Sequence, residues 1–157
     1  MGQLRLLVVD DHQLMLEAIR SALAGEDEIA IVGEARSGYE ALVLARDVAP
    51  EIVLLDLRMP GMDGIQVLEE LKKRFPTVRV VALSGTDDEE LTRDVLMRGA
   101  SAFVSKSLDP RDLAAVLRQV AEGTVTAGVI ERADLRSERA AREAGLTERE
   151  TEVLAGL

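Results

Sequence analysis

Five short apolar runs alternate with five segments of helical periodicity along residues 1–123, and this alternation limits the fold more than any other feature. The runs are rich in Val, Ile and Leu, which is typical of strands buried on both faces of a parallel sheet. Strands that alternate with helices predict a parallel sheet with right-handed crossovers and helices on both of its faces. The predicted strands are Leu4–Val9, Ile29–Val32, Ile52–Leu55, Val78–Leu83 and Ala102–Ser105.

The helical segments begin and end at recognisable signals. Apolar residues recur at i, i+3, i+4, i+7 and i+8 from Met15 to Leu23, which predicts an amphipathic first helix. Pro50 and Pro76 end the second and third helices, and Pro110 opens the last one. Acidic residues at 87–90 favour a helix start there, because anions stabilise the positive end of a helix dipole.

Composition excludes several classes of protein. The chain has 157 residues, enough for one domain with an appendage. It contains no cysteine, so disulfides and thiolate metal sites are excluded, which suits the cytoplasm. No run approaches the roughly 18 apolar residues of a membrane span. Met1 leads directly into a strand, so we expect no secretory leader. The net charge of −10 argues against nucleic-acid binding by the chain as a whole.

Polar residues follow four of the five predicted strands. Asp10 and Asp11 follow the first, Asp56 the third, Ser84 the fourth and Lys106 the fifth. Because parallel strands end at the same edge of a sheet, where ligands bind, we expect these side chains to converge. A single Asp after a strand is more often a turn residue or helix cap. The joint pattern is what favours a functional site.

This set of groups suits phosphoryl transfer. Neighbouring carboxylates form an oxygen site for a hard cation, Mg²⁺ or alternatively Mn²⁺. A divalent ion also lets adjacent carboxylates ionise together. A carboxylate can act as a nucleophile towards phosphorus and form an aspartyl phosphate. Lys106 supplies a cation on a flexible stem, and Ser84 can donate a hydrogen bond to a phosphoryl oxygen.

The chain resembles the receiver domain of bacterial two-component response regulators from residue 3 to about 122. The resemblance rests on four stretches: Val8-Val9-Asp10-Asp11-His12, the Asp56-Leu57-Arg58-Met59-Pro60-Gly61-Met62-Asp63-Gly64 loop, Leu83-Ser84-Gly85, and Lys106. It implies an α/β, flavodoxin-like, doubly wound fold whose five-stranded parallel sheet has the order 2-1-3-4-5. The predicted domains are a receiver over 1–123, a charged linker over 124–145 and the start of a truncated LuxR-type helix-turn-helix domain over 146–157.

The resemblance also implies roles for single residues. Asp56 is the phosphoacceptor, and a sensor histidine kinase is the donor. Asp11 is a direct Mg²⁺ ligand, Asp10 a ligand through water and the Arg58 backbone carbonyl a further contact. Ser84 and Lys106 bind the phosphoryl oxygens.

Phe103 takes the family's switch position, where an aromatic ring turns inward when the hydroxyl residue moves to the phosphate. The alternative is a half-buried strand aromatic. Ser107 departs from the family's usual proline and leaves the conformation of the Lys106 loop open.

Two other features were interpreted as structural. His12, the only histidine, is a helix-start residue beside acidic groups rather than a phosphoryl carrier. Gly61 and Gly64 meet the backbone needs of a tight loop. No G-x-G-x-x-G motif follows the first strand and no Walker motif is present, so a nucleotide cofactor is not expected.

The C-terminal part changes character. Residues 124–145 mix Arg with Glu and Asp and are interpreted as a solvated linker. Leu146–Leu154 resembles the opening of a LuxR/NarL-type helix-turn-helix domain, and Thr147 with Glu150 forms a capping box. A helix-turn-helix needs a second helix to enter the groove, so DNA binding is expected only through a C-terminal domain that this chain lacks.

Three functions remain open at this stage. The first is a phosphorylation-switched regulator that dimerises, with the first and last receiver helices as the pairing surface and Leu14, Leu16 and Val116 as its apolar candidates. The second is a stand-alone receiver that acts in a phosphorelay or docks on a partner. The third is a phosphatase, which the missing Asp-x-Asp-x-Thr motif disfavours. We expect no enzyme beyond slow self-dephosphorylation, and no membrane partner.

Overall fold

The computed structural model describes residues 2–59, 61, 63–85, 88–123 and 128–129. Its core is a parallel sheet of six strands in the order β2-β1-β3-β4-β5-β6. The order of the first five strands confirms the prediction from sequence. The strands are β1 (Leu4–Val9), β2 (Ile29–Ala35), β3 (Ile52–Asp56), β4 (Arg79–Ser84), β5 (Ala102–Ser105) and β6 (Gly128–Val129).

Five helices connect the strands and cover both faces of the sheet. A short 3₁₀ helix at Pro110–Asp112 precedes the last one. The helices are α1 (Gln13–Leu23), α2 (Gly38–Val48), α3 (Gly64–Arg74), α4 (Glu89–Met97) and α5 (Leu113–Glu122). Among the described residues, no helix has the length and apolar character that a membrane span requires.

Alternate residues of each strand enter two separate core layers, as the pleat of a strand requires. Leu6 and Val8 of β1 pack with α1 and α5, whereas Leu7 and Val9 pack with α2 and α3. The central strand β3 is buried along its whole length. Packed side chains therefore cover both faces of the sheet that carries the strand ends.

Side-chain caps set where several helices begin. Ser37 Oγ accepts the backbone N–H of Glu40 at 3.1 Å at the start of α2. Asp88 Oδ1 accepts the N–H groups of Glu90 and Leu91 at the start of α4. Such caps satisfy backbone donors that have no partner within the helix.

One further strand extends the predicted five-stranded sheet among the described residues. The sixth strand, Gly128–Val129, pairs in parallel with β5 at Ala102 and Phe103. It falls inside the range interpreted as a charged linker. An edge strand presents unpaired backbone groups, so a two-residue segment can pair with it whatever its side chains are.

Two further predictions concern the pairing surface and the C-terminal segment. Leu16 and Val116 lie in the core with 1% and 0% exposure, so the interpretation of both as surface candidates for pairing is wrong. Leu14, by contrast, is 81% exposed. The expected helix-turn-helix opening at 146–157, and the rest of the linker apart from β6, lie outside the described residues.

Candidate functional site

The candidate site lies at the edge of the sheet where β1, β3, β4 and β5 end. Asp10 directly follows β1, Asp56 and Ser84 are the last residues of β3 and β4, and Lys106 directly follows β5. Parallel pairing of these strands brings the four ends to one edge. Asp10, Asp56 and Ser84 are fully buried there.

A backbone N–H group and an ammonium group contact the carboxylate of Asp56. Its Oδ1 accepts the backbone N–H of Arg58 at 2.9 Å, and its Oδ2 lies 2.9 Å from the ammonium of Lys106. Burial raises the pKa of Asp56 above its ordinary value of 3.8, and the charge of Asp10 adds to the rise. The Arg58 N–H and Lys106 oppose it. A further cation nearby would therefore favour the ionised carboxylate.

Asp10, Asp11 and Asp56 form the acidic cluster. Each contributes a carboxylate oxygen, and these oxygens, with a ring nitrogen of His12, all lie within 4.8 Å of one another. The buried Oδ2 of Asp10 accepts no hydrogen bond from the described residues. A buried carboxylate oxygen without a hydrogen-bond partner is available as a ligand for Mg²⁺ or another hard cation. The acidic cluster therefore fits a divalent metal ion.

His12 lies in the cluster as well as at the helix start. It is the N-cap residue of α1, as predicted, but its side chain makes no capping hydrogen bond. Its Nδ1 instead lies 2.9 Å from Asp10 Oδ1, 3.2 Å from Asp11 Oδ1 and 3.6 Å from Asp56 Oδ2. The hydrogen bond to Asp10 raises the pKa of His12. The position of His12 directly after Asp11 is the one feature of the sequence that points to this contact.

The Lys106 loop is fixed by backbone and serine contacts. The Lys106 N–H donates to the carbonyl oxygen of Ser84 at 2.8 Å, which ties the ends of β4 and β5 together. Ser105 Oγ accepts the N–H of Ser107 at 3.2 Å and lies 2.8 Å from the Ser107 hydroxyl. These contacts give the loop a defined conformation without the family's proline.

Phe103 is buried, with 4% exposure, rather than half-buried. It belongs to the core layer that also contains Val95 of α4. The switching role of Phe103 and the metal contact of the Arg58 carbonyl both stay predictions.

Comparison with known proteins agrees with this geometry. The family model described as the response regulator receiver domain matches residues 6–118. The nitrate/nitrite response regulator protein NarL of Escherichia coli K12 is 33% identical over 156 residues, which is 95% of this chain and 72% of NarL.

Two solved structures share the fold. The signal receiver domain of the response regulator NarL from Mycobacterium tuberculosis has a TM-score of 0.74 and 33% identity, covering 78% of this chain and 99% of that one. The Borrelia burgdorferi CheX–CheY complex with BeF₃⁻ and Mg²⁺ gives a TM-score of 0.70 and 31% identity, covering 79% and 91% of the two chains. The chain therefore belongs to the NarL/LuxR-type response regulators of two-component systems, with its receiver domain at residues 6–118.

Proposed function

We propose that Asp56 accepts a phosphoryl group from a sensor histidine kinase and that its phosphorylation controls self-association. The observation that carries the proposal is the environment of Asp56, a fully buried carboxylate 2.9 Å from Lys106 and beside two further carboxylates. An Asp–Lys ion pair that only stabilised the fold would not need two further carboxylates beside it. Adjacent negative charges are unfavourable unless a cation is bound near them.

Each side chain has a distinct task in the transfer. The Arg58 N–H fixes one oxygen of Asp56, so the carboxylate approaches phosphorus in one orientation. An oxygen of Asp56 forms the new O–P bond while the P–N bond of the kinase phosphohistidine breaks and the electron pair leaves with the imidazole. Lys106 and the Ser84 hydroxyl bind the transferred phosphoryl oxygens, and the charge of Lys106 stabilises them.

The acidic cluster would hold Mg²⁺, or Mn²⁺ in its place, with the Arg58 carbonyl as a further ligand. Bound there, the ion supplies charge neutralisation for the carboxylates and the phosphoryl oxygens. Support comes from the unpartnered Asp10 Oδ2 and from the Mg²⁺ present in the Borrelia burgdorferi complex. The chain's role is acceptance of the group, with at most slow self-dephosphorylation and no separate enzymatic activity.

The regulated output lies in a DNA-binding domain beyond the described residues. We infer a cytoplasmic regulator in which phosphorylation adds charge and acceptor oxygens at Asp56 and biases a two-state surface. Ser84 and Phe103 would relay the change, because they end β4 and lie in β5 beside the site. Similarity to the transcriptional regulatory protein DegU of Brevibacillus brevis, 34% identical over 78% of this chain, supports transcription control as the output.

The pairing surface is assigned to α1 and the segment that leads into α5. An apolar groove lies there, lined by Leu14, Met15, Ala18, Leu108 and Leu113 among others. Lys106 also lines this groove, which links it directly to the site. Leu14 is the exposed apolar residue at its rim, with 81% of its surface accessible.

The first experiment tests acceptance of the phosphoryl group. Wild type and Asp56→Asn are incubated with a small phosphodonor and Mg²⁺, and incorporation is measured by intact mass. Wild type should gain one phosphoryl group, and Asp56→Asn should gain none. Asp63→Asn is the matched control, because Asp63 is an exposed carboxylate in the same loop and asparagine also caps α3. Equal incorporation by wild type and Asp56→Asn would refute the proposal.

The second experiment locates the pairing surface by light scattering with beryllofluoride and Mg²⁺. Leu14→Glu should abolish the increase in mass that wild type shows. Met97→Glu should leave it intact, because Met97 is equally exposed, at 81%, but lies on α4. If Met97→Glu abolishes the increase and Leu14→Glu does not, the pairing surface lies on α4 and the assignment to α1 is wrong.

A further inference from the structure

An imidazole nitrogen lies inside a group of metal-ligating oxygens in this chain. The Nδ1 atom of His12 lies 2.9 Å from Asp10 Oδ1 and 3.2 Å from Asp11 Oδ1. The third separation, to Asp56 Oδ2, is 3.6 Å. The ring therefore faces all three carboxylates of the acidic cluster at once.

These separations have the size expected for neighbouring ligands of one ion. Six-coordinate ions with bonds of about 2.1 Å have adjacent ligand atoms about 3 Å apart. The nitrogen and the carboxylate oxygens also lie within 4.8 Å of one another as a set. A single ion can thus contact the nitrogen together with the nearest oxygens of Asp10 and Asp11.

The His12 ring is tethered next to the cluster, where its Nδ1 is hydrogen-bonded to Asp10 Oδ1. The backbone N–H of His12 donates to Asp10 Oδ1 at 2.9 Å, which fixes the root of the side chain against the carboxylate. The side chain does not cap α1, although His12 is its N-cap residue. The fully buried Asp10 also has an orphaned Oδ2, an independent indication that the cluster takes a ligand.

We propose that His12 Nδ1 is a protein ligand of the metal and that the site prefers a divalent transition ion, such as Mn²⁺, over Mg²⁺. Mg²⁺ favours oxygen ligands and keeps several waters, whereas a neutral imidazole is a ligand that transition ions accept readily. Replacing one oxygen ligand by nitrogen therefore stabilises the transition ion more than Mg²⁺. The inference rests on the proposed function, because the same carboxylates hold the ion.

The test compares two ions and three proteins. Mn²⁺ binding is followed by the paramagnetic resonance signal of the free ion, and Mg²⁺ binding by competition. Electron spin-echo measurements on bound Mn²⁺ then detect a directly coordinated nitrogen. The proteins are wild type, His12→Phe, which keeps a ring but has no nitrogen, and Gln13→Ala, which changes the neighbouring residue at the start of α1.

Wild type and Gln13→Ala should show nitrogen modulation and bind Mn²⁺ more tightly than Mg²⁺. His12→Phe should lose the modulation and at least about tenfold of its Mn²⁺ affinity, because even an outer-sphere partner of a metal ligand contributes that much. Its Mg²⁺ affinity should change far less, so the preference for Mn²⁺ shrinks.

Two outcomes would overturn the inference, and they are distinguishable. If both ions bind wild type but nitrogen modulation is absent, or His12→Phe keeps the wild-type preference, then His12 is no ligand and the proposed function still stands. If neither ion binds wild type, the metal site of the proposed function fails along with it.

Discussion

Gly64 is the first residue of α3, and an added methyl group there would strike the backbone of the segment that carries Asp56. A Cβ atom at Gly64 would lie 2.5 Å from Leu57 Cα and 2.6 Å from the Leu57 carbonyl oxygen. These distances fall about 1 Å short of ordinary van der Waals contact, which begins at 3.4 Å. The obstacle is backbone between Asp56 and Arg58, so it cannot move aside as a flexible side chain would.

We therefore expect Gly64→Ala to lower the free energy of unfolding by about 3 kcal/mol, the upper part of the usual range for overpacking. With a denaturant slope of about 2 kcal/mol/M, the midpoint of urea unfolding falls by about 1.5 M. Phosphoryl incorporation at Asp56 should also slow, because the displaced segment holds Asp56 and the Arg58 N–H.

Gly25→Ala is the matched control for this prediction. No atom lies within 4 Å of a Cβ built at Gly25, so the substitution should be neutral or stabilising by up to about 1 kcal/mol through the unfolded chain. If Gly64→Ala unfolds at the wild-type urea concentration, the close approach of α3 to Leu57 is not a packing constraint and the reasoning fails.

Substitutions at three further positions test the supports of the fold, each by urea unfolding. Asp88→Ala removes the cap of α4 and should cost about 1 kcal/mol, whereas Asp88→Asn should cost little. Arg79→Met removes hydrogen bonds from the guanidinium to the last carbonyl groups of α5 and should cost about 2 kcal/mol; an unchanged midpoint would contradict their importance. Arg20 donates to Glu34 at 2.5 and 2.6 Å and lowers the pKa of Glu34 below 4.5. This contribution is present above about pH 4.5 and is lost as the pH falls further, so Glu34→Gln should lose less stability on acidification than wild type.

The alternation of strands and helices was predictable because each strand is a separate apolar run, and such alternation indicates a parallel sheet. The strand order itself was predicted only from the resemblance to receiver domains. The position of β6 was not predictable in the same way. Two residues carry no period, and their pairing depends on the free edge of β5, a property of the folded sheet and not of residues 128–129.

The convergence of Asp10, Asp56 and Lys106 followed from strand direction alone, because parallel strands all end at the same side of the sheet. Side-chain orientation was less accessible. The turn of the His12 ring into the cluster depends on its rotamer and on a backbone hydrogen bond to Asp10. Leu16 lies on the same face of α1 as Ile19 and Leu23, three and seven residues further on, and is buried with them, whereas Leu14 lies off that face. Helical periodicity alone therefore already favoured a buried Leu16.

The two ends of the strands face opposite ends of the connecting helices. Helices that return antiparallel to the strands place their C-terminal ends, with free carbonyl groups and negative dipole ends, at the edge where strands begin. There Arg5 donates to the last carbonyl groups of α2, and Arg79 to those of α5. The opposite edge receives helix N-termini, whose positive ends favour anions. The acidic cluster lies at that edge, where the helix dipoles and Lys106 offset only part of its buried charge. The negative charge that remains uncompensated allows this edge, and not the other, to bind a cation and respond to a phosphoryl group.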